Sequence, residues 1–144
     1  MSTEENKAFI LRWFEEDKKR NLDGILELYA PDYAAHATLP PGISPGRAGV
    51  KQMMPAFWTA FPDEHTVADD VIAEGDKVVC RWTMRGTHQG AFMGIPPTEK
   101  QVSWTGIGIY RIEDDKIAEA WGITDDLGLL QQLGAIPQMA QGGA

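Results

Sequence analysis

The stretch from Lys116 to Asp126 ends in a carboxylate whose position would suit acid/base chemistry. Its residues alternate as in a strand, so Trp121, Ile123 and Asp125 fall on one face. A carboxylate in line with an indole and a branched aliphatic side chain is poorly solvated, and its pKa rises toward the range useful for proton transfer. The same residues fit a second interpretation, in which Asp125 lies just past the strand and caps the next helix. The local sequence leaves both interpretations open.

The three histidines are the other candidates for acid/base chemistry. His36 has small apolar neighbours, which fits a buried imidazole with a tuned pKa or a structural histidine bound to a loop carbonyl. His88 precedes a glycine-containing loop, where it would line a pocket mouth or stabilise a turn. His65 opens a strand beside Glu64, and we expect it to be solvated. The histidines lack the spacing typical of zinc ligands, so we expect no metal site.

Large aromatic side chains are numerous for one small core. They form the core itself or line an apolar pocket for a flat hydrophobic ligand. The single cysteine, Cys80, lies in the middle of a predicted strand and fits a small core residue better than a nucleophile. The rings are Trp13, Phe14, Phe57, Trp58, Phe61, Trp82, Trp104 and Trp121.

Composition and charge exclude several classes of partner. The 144 residues are 43% hydrophobic and 24% charged, and the net charge is −8. This acidic surface repels phosphate backbones, so we expect no nucleic-acid partner. Residues 1–7 lack the apolar segment of a signal peptide, and no apolar run approaches the roughly 20 residues of a membrane helix. We therefore expect a cytoplasmic protein without a membrane partner, built as a single domain over residues 1–144 with a frayed tail from about residue 138.

Helical periodicity dominates the first part of the chain. Ser2 and Glu5 match a capping box in front of the first helix. Pro31 is expected to end the second helix, and Pro55 predicts a kink or a late start in the third. The predicted helices cover about residues 4–20, 25–29, 47–60 and 126–133.

From about residue 64 the apolar period changes to two, which predicts strands. Turns are predicted at 74–77 and 113–116, and loops at 38–46 and 90–100, the latter long enough to overhang a pocket. Helices followed by an antiparallel meander indicate an α+β fold whose sheet wraps the helices on one side. The space between sheet and helix is a natural pocket, and the other face of the sheet needs water or a partner subunit. The predicted strands cover about 65–73, 78–87, 102–112 and the stretch after Lys116.

A set of segments, in order along nearly the whole chain, carries a family resemblance. The segments are Tyr33–His36, Phe61–Asp63, Gly86–Thr98, Arg111–Ile112 and Lys116–Trp121, continuing to Asp125 and Leu127–Gly134. The run from Gly86 to Thr98 is the most specific part. Together these segments resemble the SnoaL-like polyketide cyclases, a family of the nuclear-transport-factor-2-like (NTF2-like) superfamily, which includes ketosteroid isomerase.

The resemblance implies a cone-shaped α+β fold in which a long curved sheet and helices enclose one apolar pocket. It also implies a homodimer that pairs through the outer face of the sheet, and an intramolecular aldol condensation of a polyketide methyl ester without cofactor or metal. Asp125 matches the family's acid/base aspartate, four residues after Trp121, whereas Asp126 would point to the other face. His36 matches a pocket histidine of the family.

These inferences together predict an enzyme that removes a proton next to a carbonyl and stabilises the enolate. Asp125 is the expected base, Trp121 the wall that keeps it dry, and His36 or a tryptophan N–H the donor to the enolate. Because one fold hosts many functions, a binding protein, hydroxylase, dehydratase or epoxide hydrolase with the same pocket is the alternative. The side chains expected to contact a small hydrophobic substrate are Trp121, Trp104, His88, Phe14, Trp58 and Phe61.

Overall fold

The computed structural model describes residues 2–137, so the predicted frayed tail lies outside the described residues. The predicted α+β class is confirmed. No helix within this part of the chain is both long and apolar enough to cross a membrane. The elements are α1 Thr3–Lys18, α2 Leu22–Leu26, β1 Tyr29–His36, α3 Arg47–Ala60, β2 His65–Glu74, β3 Lys77–Thr87, β4 Gln101–Glu113, β5 Lys116–Thr124 and α4 Asp126–Leu133.

The five strands form one mixed sheet in the order β1-β5-β4-β3-β2. β1 runs parallel to β5, and the other neighbours are antiparallel. The sequence does not predict β1, because the apolar spacing at residues 25–29 indicates a helix that Pro31 would end. In the structure α2 ends at Leu26 and Pro31 lies in β1. A proline is tolerated there because β1 is an edge strand, with only one side paired.

The helices cover one face of the sheet. The capping box of Ser2 and Glu5 starts α1, as predicted. The apolar side of α1 faces β2 and β3 and buries Phe9, Ile10 and Phe14. α3 spans residues 47–60 as predicted, with Pro55 inside it.

The register of the strands separates two faces of the sheet. Trp82 lies opposite Gly106, and Gly106 lies opposite Thr124, on the inner face that the helices cover. Ile107 lies opposite Ile123 on the outer face. Ile123 is 76% exposed and Ile107 is 46% exposed, as expected if the helices cover one face only.

Candidate functional site

The structure places Asp125 in solvent at the N-cap of α4. The backbone N–H of Gly128 donates to Asp125 Oδ1 at 2.9 Å. The predicted burial of this carboxylate is therefore wrong, and the helix-cap interpretation describes its position. The reason is that Trp121 and Ile123 share the outer face of β5, not the inner one. The catalytic role of Asp125 stays a prediction.

His36 and Trp121 also lie on the outer face, because His36 is opposite Trp121 in the pairing of β1 with β5. Their rings stack with centroids 5.2 Å apart. His36 is exposed, and its Nε2 lies 2.7 Å from Glu119 Oε2. The hydrogen bond from Arg111, followed by that with His36, lowers the pKa of the Glu119 carboxyl. The predicted burial of the His36 imidazole is therefore wrong. The prediction that Trp121 walls an inner pocket is also wrong, because Trp121 lies on the outer face.

A strip of glycines crosses the middle of the inner face. Gly106 lies under the indole of Trp82, and Gly108 lies under the phenol of Tyr110, so a side chain at either position would collide with that ring. No side-chain atom lies within 4 Å of the position that a Cβ on Gly122 would take. Across these strands the inner-face positions 82, 84, 104, 106, 108, 110, 120, 122 and 124 hold no carboxylate, imidazole or amine.

Five aromatic residues, here called the inner-face aromatic cluster, pack beside this strip. Trp104 lies at its centre, with its ring centroid 5.7 Å from that of Phe92, 5.8 Å from Trp82 and 6.1 Å from Phe57. The side chain of Phe61 is fully buried against Phe57 and Phe92. The structure therefore brings together Trp104 and Phe61 from the predicted substrate contacts. The cluster is Phe57, Phe61, Trp82, Phe92 and Trp104.

The loop between β3 and β4 closes over this cluster. Met93 and Gly94 have φ of 52° and 76°. Across this tight turn, the backbone N–H groups of Phe92 and Ile95 each donate to the carbonyl of the other residue. The turn places Phe92 within the aromatic cluster and Ile95 against the same core. The predicted overhanging loop at 90–100 is thus present, with an aromatic side chain at its tip.

His88 anchors the start of this loop and is fully buried. The Thr98 backbone N–H donates to His88 Nδ1 at 3.2 Å. In the neutral imidazole the proton is therefore assigned to Nε2, which has no hydrogen-bond partner among the described residues. The His88 ring lies 5.6 Å from that of Phe61. His88 thus packs against Phe61 of the aromatic cluster, and its Nδ1 holds the loop at Thr98.

Phe14 and Trp58 lie away from the aromatic cluster. Phe14 belongs to the core between α1 and the sheet and contacts Trp13 edge-on at 5.4 Å. Trp58 Nε1 donates to Asp17 Oδ1 at 2.9 Å. Their predicted substrate contacts stay predictions, and the structure gives each a packing role.

A buried carboxyl pair joins α1, α3 and β2, and sequence patterns did not predict it. The Asp17 residue is 1% exposed and the Glu64 side chain is fully buried. Arg20 Nη1 lies 2.6 Å from Glu64 Oε1, and Thr66 donates to Glu64 Oε2 at 2.6 Å. Desolvation, reinforced by a hydrogen bond with Asp17, raises the pKa of Glu64 to about 7. One signal was present in the sequence: Asp17 falls three residues after Phe14, on the apolar stripe of α1.

Two grooves open at the hairpin-turn end of the sheet, away from the aromatic cluster. One of about 190 Å³ is lined by Asn6, Gly75, Asp76, Ile112, Asp114 and Asp115, and one of about 550 Å³ extends from Phe9 to Lys116. Within residues 2–137 no three His, Cys, Asp or Glu side chains are grouped to hold a metal ion. Cys80 is buried in the core, and burial raises the pKa of its thiol to about 11, consistent with a packing residue.

Comparison with known proteins identifies relatives of this chain. The sequence profile of SnoaL-like polyketide cyclases matches residues 8–133. The nogalonic acid methyl ester cyclase of Streptomyces nogalater is 33% identical over 113 residues, which cover 78% of this chain and 84% of that protein.

Solved structures agree with this match. AclR from Streptomyces galilaeus, provisionally described as a hydroxylase, has a TM-score of 0.85 and 31% identity, covering 97% of this chain and 87% of its own. IdmH from Streptomyces antibioticus, provisionally described as a polyketide cyclase, has a TM-score of 0.77 and 32% identity, covering 90% and 98%. Similar folds therefore occur with two provisionally described activities.

Proposed function

The chain belongs to the SnoaL-like polyketide cyclase family, and from that membership we propose that it closes a ring in a hydrophobic polyketide-type carbonyl compound. The observation that supports this function best is the inner face of the sheet. There an aromatic cluster borders a strip of glycines, and two N–H groups, on Trp104 and His88, have no partner among the described residues. Such a surface suits a flat apolar molecule that carries a few oxygen atoms.

The reaction that we propose is an intramolecular aldol condensation. A base removes a proton from the carbon next to one carbonyl, and the enolate carbon then forms a bond to a second carbonyl carbon of the same molecule. The oxygen of that second carbonyl takes up a proton and becomes a hydroxyl. Rings that hold the substrate folded bring the two carbons together, and N–H donors stabilise the enolate oxygen. The aromatic cluster and the N–H groups of Trp104 and His88 support both parts of this proposal.

Asp125 is our candidate base, and its location restricts where the reacting carbon of the substrate can bind. The carboxylate stands in solvent at the end of β5, with one oxygen engaged by Gly128. The reacting carbon must therefore reach the rim of the sheet, and the bound substrate must itself exclude water from the carboxylate.

Asp125→Asn tests this role, because asparagine still caps α4 while losing the basic oxygen. With polyketide methyl esters as substrates, we expect kcat to fall at least about 100-fold. Asp126→Asn is the matched control, since Asp126 accepts from Thr124 at the same strand end; it should retain near-normal turnover. Unchanged turnover in Asp125→Asn would remove Asp125 from the mechanism.

A second candidate function is binding without conversion. It is favoured by the inner-face positions of β3, β4 and β5 between Trp82 and Thr124, which hold no carboxylate, imidazole or amine. Tryptophan fluorescence would report binding of a polyketide methyl ester, and mass spectrometry would report its fate. Ester recovered unchanged after saturating binding supports the binding function. A product of equal mass with a new ring supports the cyclase, and a gain of one oxygen atom indicates a hydroxylase.

A further inference from the structure

We propose that the indole N–H of Trp104 is the donor that binds a ring carbonyl of the ligand, which makes the protein selective for flat aromatic ketones. This inference rests on the proposed function, because it assigns one contact within the same inner-face site. It concerns recognition of the ligand and requires no particular base.

The first observation is the state of the Trp104 nitrogen. Nε1 is buried, and it has no hydrogen-bond partner within residues 2–137. Buried N–H donors in folded proteins are nearly always paired, since an unpaired one loses its bond to water without replacement. An acceptor brought by a ligand would satisfy this donor.

The second observation is the chemistry that surrounds the indole. The rings of Phe57, Trp82 and Phe92 lie within 6.1 Å of the Trp104 ring, centroid to centroid. These rings accept a hydrogen bond only weakly, through their faces, and they favour contact with another flat apolar molecule. One polar donor among apolar rings matches a ligand with an aromatic plane and a carbonyl oxygen on it.

The contrast with the other four tryptophans supports the choice of Trp104. Trp82 packs edge-on against Trp104 on the inner face, but its Nε1 is not among the buried atoms without a hydrogen-bond partner. Trp13 Nε1 donates to the Tyr29 hydroxyl at 3.1 Å, and Trp58 Nε1 donates to Asp17. Trp121 lies on the outer face of the sheet, opposite His36. In the described part of the chain, the Trp104 donor is thus buried, without a hydrogen-bond partner and on the inner face.

The proposal is tested by comparing how wild type and one Trp104 variant bind two matched probes. Trp104→Phe keeps an aromatic ring and removes the N–H. The probes are the methyl ester of an anthraquinone carboxylic acid and the methyl ester of the matching anthracene carboxylic acid, which share a three-ring plane and differ in the ring carbonyls. We expect Trp104→Phe to weaken binding of the anthraquinone ester about tenfold. Binding of the anthracene ester should change by less than about twofold.

The alternative results have distinct meanings. An equal loss of affinity for both esters would show that the ring and not the N–H matters, and unchanged affinity for both would show that neither does. Either result overturns this inference and leaves the proposed function standing. A wild-type chain that binds neither ester would overturn the inner-face ligand site itself, and with it both proposals.

A measurement on the wild-type chain covers the case in which Trp104→Phe fails to fold. With ¹⁵N-labelled indoles, the anthraquinone ester should shift the Trp104 Nε1–H resonance downfield, as a new hydrogen bond does. The anthracene ester should not produce this downfield shift, and the partnered indoles of Trp13 and Trp58 serve as internal controls. The absence of a carbonyl-dependent shift would overturn the proposal, because the N–H would then be satisfied within the chain, for instance by a ring face.

Discussion

Asp125 shows how the orientation of one side chain changes the chemistry available to it. On the inner face its carboxylate would be desolvated and suited to proton transfer. On the outer edge it accepts the N–H of Gly128 and begins α4. A carboxylate at a helix N-terminus satisfies an otherwise unpaired backbone donor and interacts favourably with the helix dipole. Whatever its role in turnover, Asp125 has a structural role in α4.

Replacing Asp125 separates this structural role from the catalytic one. Asp125→Ala removes the cap, so we expect the free energy of unfolding to fall by about 1 kcal/mol. Asp125→Asn should cost much less, because asparagine is an equally good N-cap. Urea denaturation of both variants measures the difference. Equal losses in the two variants would contradict the capping role and would weaken the use of Asp125→Asn as a kinetic probe.

At the scale of elements, the buried carboxyl pair connects three pieces of the chain that are far apart in sequence. Asp17 ends the buried stripe of α1, Trp58 of α3 donates to it, and Glu64 precedes β2. Arg20 supplies the positive charge facing Glu64, and its guanidinium also lies 5.7 Å from the Trp58 ring. Because Arg20 offsets only part of the charge of two carboxylates, burial favours a protonated Glu64.

This pair predicts that stability falls as pH rises toward neutrality. Between the ordinary pKa of 4.5 and the raised value of about 7, folded Glu64 holds a proton that the unfolded chain has released. The folded state therefore binds more protons, and its stability decreases with pH through that window. Glu64→Gln stays neutral at all pH values. We therefore expect the free energy of unfolding of Glu64→Gln, relative to that of wild type, to rise by between about 1 and 3 kcal/mol from pH 5 to pH 8.

Asp63→Asn provides the control from the neighbouring position. Hydrogen bonds from Thr87 lower the pKa of the Asp63 carboxyl, so its contribution is lost only when pH falls below the ordinary range. Its effect on unfolding should stay constant between pH 5 and pH 8. Urea midpoints at both pH values test the two variants side by side. A Glu64→Gln effect that does not change with pH would show that Glu64 is ionised in the folded chain.

At the scale of the whole molecule, the outer face of the sheet has an apolar centre that the helices leave uncovered. Its exposed isoleucines lie on β2, β4 and β5, with Ile72 64% and Ile109 37% exposed in addition to Ile107 and Ile123. Ion pairs flank them, among them Arg81 with Asp70 at 2.8 Å. An apolar centre with a charged rim is typical of protein interfaces. We propose that a second copy of the chain covers this face, as the family resemblance implies.

Charge placed in the centre of this face should separate the copies. In sedimentation equilibrium we expect wild type at twice the chain mass of 15.9 kDa and the double variant Ile107→Glu/Ile123→Glu at 15.9 kDa. Leu127→Glu is the control, because Leu127 is an equally apolar side chain, 51% exposed, that lies on α4 instead of the sheet. A wild-type chain that sediments at 15.9 kDa would contradict the proposed dimer.

Local patterns in the sequence determined much of this protein. The capping box at Ser2, the helices at 47–60 and 126–133 and the turns at 74–77 and 113–116 follow from interactions within a few residues. The α+β class and the exposed second face of the sheet follow from the order of those elements. Alternation even placed Trp121 and Ile123 correctly on a common face of β5, whereas Asp125 lies past the end of that strand.

Only the tertiary structure decided which face that was. Periodicity is the same for the two faces of a strand, so contacts with distant elements determine which face is buried. The pairing of β1 with β5 puts His36 beside Trp121 on the outside, and the helices pack on the other face, which holds Gly106 and Trp104. The same reason hid the partnership of Asp17 with Glu64, since no local pattern reports a contact across 47 residues.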